Sequence, residues 1–533
     1  MTFIITGGCC SDSSCIPVCP VQCIRPRPGD PDFTSSAQLY IDPRTCIDCA
    51  ACVDQCPVDA IYAEWEIPDE LRDYEAINAE FFEGAPLTPS APEPTRHRSL
   101  PTHSPALSVA VVGSGAAGAY AATELAHIAG VNVTLFDSLP TPGGLIRFGV
   151  APDHPRTKQI GDRLGRVLRR NNVSCYFNVE VGVDVSIDDL LTHHHAVVWA
   201  GGAPSSRSLE VPGETLPGSI SARDFVAWYN GHPDHSDHRF DLDTERVVVI
   251  GNGNVAVDVA RLLLLPPDEL VPTDMADHAI NALGASRVRD VVMTARRGPE
   301  SAACSLAELT GLAQADSVSL VTSAGEVEHL AGMPSDRRAR ALLEASTRPV
   351  NAGDRTVTMR FGLTPTSING IDRVESVTFT RPDGSQETIP TTLVIRAIGY
   401  AGMPIPGLPF DDTTRTLPHI GGGVVSPASG EPIRGVYCAG WIKRGSTGAI
   451  GTNRSDASET VATLLEDFSA GRLKDPAGSL ADLNRLIRER CPDVVDKHGW
   501  ARIDQTERAR GHDQGRPRVK LVHRKALVAV ARS

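Results

Sequence analysis

The stretch "CIDCAACVDQCP" constrains this chain more than any other. It spaces its cysteines as Cys46-x2-Cys49-x2-Cys52-x3-Cys56, followed by Pro57. Thiolates at these intervals wrap an iron–sulfur cluster, and in two-cluster proteins the fourth cysteine of such a run ligates the other cluster. Nine of the thirteen cysteines fall in the first 56 residues. The first residues show no basic leader, and no apolar run approaches the roughly 18 residues of a membrane span. A reducing, cytoplasmic setting is therefore expected, where clustered cysteines signal metal chemistry rather than disulfides. Cys175, Cys304, Cys438 and Cys491 stand alone and read as core residues.

A second run precedes the first as a degraded copy. "CPVQCI" at 19–24 aligns with "CPVDAI" at 56–61. Extended backward without gaps, Cys15 pairs with Cys52, Asp12 with Cys49 and Cys9 with Cys46. Cys10 and Cys23 fall opposite Ile47 and Ala60, which cannot bind metal. Crossed ligation then assigns Cys46, Cys49, Cys52 and Cys19 to a [4Fe–4S] cluster. Cys9, Cys15 and Cys56 hold a second cluster, with Asp12 at its fourth corner. A carboxylate is a harder ligand than thiolate, so this cluster is expected to be [3Fe–4S], or else a labile [4Fe–4S].

Charge marks the same segment. Residues 1–83 carry four Arg, no Lys and fifteen Asp or Glu, a balance of −11 out of −14 for the chain. An acidic module excludes nucleic acid as a partner. It is followed by "GAPLTPSAPEPTRHRSLPTHSP", which reads as a proline-rich tether. The expected division is a cluster domain at 1–66, a linker at 67–105, one nucleotide domain built from 106–205 and 401–533, and a second at 206–400. The polar, basic end beyond about 470 reads as a helix and tail packed on this body.

Two strand–glycine turn–helix units define those domains. "VVGSGAAG" places Gly113, Gly115 and Gly118 after an apolar strand, and Asp137 ends the next strand about 20 residues on. The first glycine makes the turn, the second admits a pyrophosphate and the third lets helix and strand pack. An acid at that distance binds a free ribose 2′-OH, which suits FAD or NAD. "GNGNVAVDVAR" repeats the grammar with Gly251, Gly253 and Ala256. Its next strand ends in Arg296 and Arg297, not an acid. A guanidinium pair suits the 2′-phosphate of NADP. The fold class is α/β: two Rossmann-like domains preceded by a small α+β cluster domain.

Longer phrases carry a family resemblance. Residues 1–66 resemble a bacterial seven-iron ferredoxin. From about residue 106 onward, "PTPGGLIRFGVAPDHP" and "GVYCAGWIKRGSTGAIGTNRSDA" resemble adrenodoxin reductase, an NADPH-dependent ferredoxin reductase of the glutathione-reductase-like class. That resemblance implies FAD contacts at Ala117, Asp137, Leu145, Val181, Trp441 and Gly448, Ala449 and Ile450. It implies NADP contacts at Asn252, Gly253, Asn254 and Val255, at the arginine pair, at Glu308 and at Gly448. It further implies that His154 and Asp258 form a His–acid pair near the flavin and that Glu308 anchors the nicotinamide. The implied activity is a ferredoxin–NADP reductase passing electrons to a free ferredoxin or a cytochrome P450-type acceptor, with the acidic module as a built-in relay. The alternatives are an electron-input subunit like the small subunit of glutamate synthase, or an iron–sulfur redox sensor.

Overall fold

The computed structural model describes residues 2–84, 87–88, 98–101, 105–315, 317–332, 337–348, 350 and 354–533. Most of the expected tether lies outside these residues. In the cluster module, Phe3–Ile5 pairs antiparallel with Ile61–Ala63, and Ile24–Arg25 with Tyr40–Ile41. Strands of two or three residues bury little apolar surface, so the module relies on a third element. The helix Asp73–Phe81 packs across both pairs. Its buried Asn78 accepts the backbone N–H of Ile5 (3.2 Å) and of Ile41 (2.9 Å), and donates to the Ile5 carbonyl (2.8 Å). Phe81 stacks on Tyr40 with ring centroids 4.2 Å apart. This corrects the expected boundary. The linker does not begin at 67, because residues 67–82 belong to the module: Ile67, Tyr74 and Phe82 are buried.

The first nucleotide unit has a seven-stranded sheet. Its order is His419–Ile420, Gly423–Val425, Pro432–Cys438, Ala196–Trp199, Leu107–Val112, Val131–Asp137, Val173–Phe177, and the last five strands are parallel. The second has six parallel strands in the order Ser219–Ser221, Leu393–Arg396, Arg246–Ile250, Asp290–Thr294, Thr356–Arg360, Ser319–Thr322. Strands covered on both faces read as continuous apolar runs. "LSVAVV" and "RVVVI" do so, and Val109, Val111, Val247, Val248 and Val249 are fully buried. An antiparallel three-stranded sheet, Thr364–Asn369, Ser376–Thr380 and Gln386–Pro390, is inserted into the second unit.

The C-terminal region forms three helices, Leu480–Arg490, Lys497–His512 and Arg524–Arg532. The tail before the last helix ties the two units together. Arg516 pairs with Asp277 at 2.6 Å, and Lys520 with Asp274 at 2.9 Å. The isolated cysteines behave as core. All four are buried, and burial pushes the thiols of Cys175 and Cys438 up to about 12.

Candidate functional site

Four clusters of expected site residues come together, and each can be built from its backbone. In the module, the turns of the two cysteine runs fold over one another. One small cavity is lined by Cys19, Cys46, Cys49 and Cys52, with Cys23, Phe3 and Ile47. A second is lined by Cys9, Cys15, Cys56 and Asp12, with Cys10. Cys19 thus sits among the second run's cysteines and Cys56 among the first run's, the crossed arrangement that the repeat implies. Four convergent sulfurs around one hollow, and three with a carboxylate around the other, fit iron–sulfur clusters. Cys23 stands 3.4 Å from Cys19, sulfur to sulfur. Hydrogen bonds from Cys23 hold the Cys19 and Cys46 thiols down at about 6 and about 5. Burial pushes Cys9 up to about 11 and Cys52 up to about 12.

The first glycine turn has the close contacts its residues foretell. Gly113 has φ +100°, and a Cβ there would lie 2.5 Å from the Ala200 carbonyl oxygen. A Cβ at Gly118 would lie 1.8 Å from the Gly113 oxygen, so helix and strand touch at this point. The second glycine, Gly115, meets nothing nearer than Gly144 at 3.9 Å. The space beside it is open, as a pyrophosphate needs. Asp137 closes the next strand and accepts the N–H (2.8 Å) and hydroxyl (2.5 Å) of Ser114 within this turn. Burial raises its carboxyl, with Ser114 opposing. Val181 lies just past Val179, whose N–H bonds the Asp137 carbonyl at 3.0 Å.

Leu145 begins a short helix immediately after Gly144 and is 42% exposed. From across the sheet, the segment carrying Trp441 and Gly448 through Ile450 reaches the start of the helix Ala116–Ala126 that follows the first glycine turn, since a Cβ at Gly440 would lie 2.6 Å from that of Ala117. Trp441 donates its indole N–H to the Thr447 carbonyl (3.1 Å) and packs on Tyr400. The exposed Leu145 and the segment around Trp441 thus both stand near the first glycine turn, an arrangement that fits a flavin dinucleotide laid along it. A cavity of about 1210 Å³ lies beneath the turn, lined among others by Ser114, Gly143, Ile146, Trp500 and Arg508.

The second turn matches. Gly251 has φ +128°, and a Cβ there would lie 2.3 Å from the Ala397 carbonyl, while Gly253 meets nothing nearer than 4.0 Å. Asn254 accepts the Ser305 N–H at 2.8 Å, and Asn252 accepts the Ala303 N–H at 3.4 Å. The turn is thereby tied to the helix Leu306–Gln314, and Val255 is half-buried beside it. Arg296 and Arg297 are both exposed at the end of the neighbouring strand. Their guanidinium donors fit a phosphate.

Between the two nucleotide units, His154, Asp258 and Glu308 converge within 4.8 Å of one another. Sequence reasoning missed the residue at their centre. Arg261, one turn after Asp258 on the helix Asn254–Leu264, donates to His154 Nε2 (2.7 Å), Asp258 (2.7 Å) and Asp153 (2.7 and 3.1 Å), and stands 3.4 Å from Glu308. The expected His154–Asp258 pair is not a direct hydrogen bond. The two are 3.5 Å apart and Arg261 bridges them. Guanidinium only donates, so His154 Nε2 must accept, which leaves a neutral ring with its proton on Nδ1. Burial pushes the Asp258 carboxyl up to about 6, with Arg261 opposing and Glu308 reinforcing. Arg261 is the shared partner of three acids, so the cluster is an ion-pair network built around a guanidinium.

The module docks on the body with its second cavity inward. Cys9, Cys10, Cys56 and Ala60 pack with Ala117, Tyr120 and Ile450. The Gly451 N–H donates to the Cys10 carbonyl at 2.8 Å. Gly7 abuts Ala307 of the other nucleotide unit, where a Cβ would lie 2.2 Å away. Arg163 and Arg156 donate to the Gln55 carbonyl (3.0 Å) and the Tyr62 hydroxyl (2.5 Å). The first cavity faces outward: Cys49 and Ile47 are exposed, as is Trp65, whose ring packs on Phe3.

Comparison with known proteins agrees with this geometry. The pyridine nucleotide-disulphide oxidoreductase family matches residues 107–443, and a 4Fe-4S binding domain matches residues 39–62. A probable ferredoxin/ferredoxin–NADP reductase of Mycobacterium leprae is 43% identical over all of this chain and 98% of that protein. The NADPH-ferredoxin reductase FprA of the same organism is 39% identical over 79% of this chain and 98% of its own length. The solved structure of Mycobacterium tuberculosis FprA in complex with NADPH superposes with a TM-score of 0.75 at 38% identity, covering 81% of this chain and all of that one.

Proposed function

We propose, for a chain that belongs to the pyridine nucleotide-disulphide oxidoreductase family and within it to the ferredoxin-fused ferredoxin–NADP reductases, that the attached module is the enzyme's own first electron acceptor. The activity itself is that of a ferredoxin–NADP reductase: bound FAD takes hydride from NADPH and releases electrons singly to ferredoxin-type acceptors. The observation that carries the proposal is the docking. The loop Cys9–Asp12 lies directly on Gly451 and shares a core cluster with Ile450 and Ala117, next to the segment expected to hold the flavin.

The residues divide the work. Gly113, Gly115, Gly118 and Asp137 hold the FAD pyrophosphate and ribose, with Val181 beside Asp137, and Trp441 and Gly448 to Ile450 position its ring. Gly251 through Val255 cradle the NADP pyrophosphate, and Arg296 and Arg297 select its 2′-phosphate. Glu308 orients the nicotinamide. His154 Nδ1–H is the proton-bearing atom at the junction of the two units, and Arg261 with Asp153 and Asp258 fixes its tautomer. Cys46, Cys49, Cys52 and Cys19 hold a [4Fe–4S] cluster on the outward side. Cys9, Cys15 and Cys56 hold the second cluster on the inward side, with Asp12 at its corner, and we assign it as [3Fe–4S]. The onward acceptor, a free ferredoxin or a cytochrome P450-type haem protein, meets the outward face at Cys49, Ile47 and Trp65.

Anaerobic titration of the holoprotein with NADPH tests this reading. Uptake should exceed the two electrons of FAD by one for each cluster whose potential lies within reach, with bleaching of the iron–sulfur absorbance. Uptake that stops at two electrons with no bleaching refutes the built-in acceptor.

A further inference from the structure

The non-cysteine corner of the second site is held by the body and not by the module alone. Both Asp12 oxygens are engaged: Oδ1 accepts the Ser14 N–H at 2.9 Å and Oδ2 the Ser14 hydroxyl at 2.6 Å. Arg454, on the body helix Thr452–Ser469, donates Nη1 to the Ser14 oxygen at 2.5 Å and to the Asp12 carbonyl at 3.2 Å. The same nitrogen stands 3.8 Å from Asp12 Oδ2. Asp12 is only 6% exposed, so water does not compete for its carboxylate. One residue before that helix, Gly451 clamps the Cys10 carbonyl. Asp12 lines the cavity with the three cysteines, so an Asp12 oxygen that ligates iron is drawn between the metal and the Ser14 hydroxyl, within the field of a guanidinium that itself fixes Ser14.

We propose that Arg454 is a positioning residue that, through Ser14, holds the Asp12 carboxylate in its bonds to Ser14 while the module is docked. The docked module then retains a three-iron cluster at Cys9, Cys15 and Cys56, and loss of the contact frees Asp12 to take a fourth iron. This rests on the reading that the module holds two clusters. In the conversion, the oxidised three-iron core takes one electron from added dithionite and binds one ferrous ion. An Asp12 oxygen–iron bond forms as the Ser14 hydroxyl gives up its hold on that carboxylate. The body thereby governs which cluster the relay contains.

The test compares the holoprotein with Arg454→Ala, Arg454→Lys and Ser14→Ala, each incubated anaerobically with dithionite and one equivalent of ferrous ion. The oxidised three-iron EPR signal and the iron content are followed with time. The wild type should keep the signal. Arg454→Ala and Ser14→Ala should lose it at least tenfold faster with gain of one iron, and Arg454→Lys, which keeps the cation, should recover part of the protection. Wild type in high salt should approach the alanine variants, because Arg454 is partly exposed and its field is screened. Equal rates in wild type and both alanine variants overturn the proposal and leave the two-cluster reading standing. A wild type that contains eight irons and no three-iron signal as isolated overturns the proposal and the three-iron assignment while leaving two clusters standing, and one that contains only four irons overturns the two-cluster reading as well.

Discussion

Adding one methyl group at Gly451 should uncouple the module from the body without disturbing either. A Cβ there would lie 2.0 Å from the Asp12 nitrogen, 2.2 Å from its Cα and 2.4 Å from the Cys10 oxygen. Non-bonded carbon contacts settle at about 3.5–4 Å, and the obstructing atoms are backbone, so the module has to retreat by roughly 1.5 Å. That displacement breaks the Gly451–Cys10 hydrogen bond and both Arg454 bonds to the module. At about 1 kcal/mol each, the docked form loses about 3 kcal/mol, or up to about 150-fold in population. Gly451 itself has φ −70° and ψ −24°, which alanine adopts without strain, so the body alone tolerates the change. In stopped-flow mixing of Gly451→Ala with NADPH, flavin bleaching should keep its wild-type rate, and iron–sulfur bleaching should slow by one to two orders of magnitude. Unchanged iron–sulfur bleaching would show that the contact at Gly451 is not the route, and the argument from docking would fail.

Three further outcomes follow from the geometry. Arg297→Ala removes charge-assisted bonds worth about 2–3 kcal/mol and should raise KM for NADPH roughly 30–150-fold while leaving that for NADH nearly unchanged; equal shifts would refute the 2′-phosphate role. Asn78→Leu leaves the Ile5 and Ile41 backbone groups unpaired, and should lower module stability by about 2–4 kcal/mol, read as faster loss of iron to a chelator with FAD retained. Burial lifts the Asp258 carboxyl from 3.8 to about 6. A raised carboxyl stabilises the fold below its unfolded value and costs stability as pH climbs through the folded one. The Tm of Asp258→Asn should therefore gain on wild type between pH 4 and pH 7, and a constant difference across that range would contradict the shift.

The glycine turns and the grouping of the cysteine runs were legible in sequence because each depends on short spacing along the chain. Gly113 and Gly118 meet the contacts their positions foretell, and Cys19 and Cys56 cross between cavities as the repeat requires. Arg261 was not legible, although it stands three residues after Asp258, because its partners Asp153 and Glu308 come from distant segments. The helix Asp73–Phe81 was lost in a supposed linker. Its charged sequence hides the buried Asn78 and Tyr74, whose burial depends on strands more than thirty residues away. Arg454 looked like part of a flavin-loop phrase. Its partners Asp12 and Ser14 lie over 400 residues away, and no local pattern joins them.

The central claim is that electrons from NADPH enter a module fixed to the same chain. It is tested most directly by the concentration dependence of iron–sulfur reduction. With NADPH in excess under anaerobic conditions, the stopped-flow rate of cluster bleaching should be first order and constant as enzyme concentration rises tenfold. A rate that rises in proportion to enzyme concentration would mean that one molecule reduces another, and the docked module would not be the acceptor.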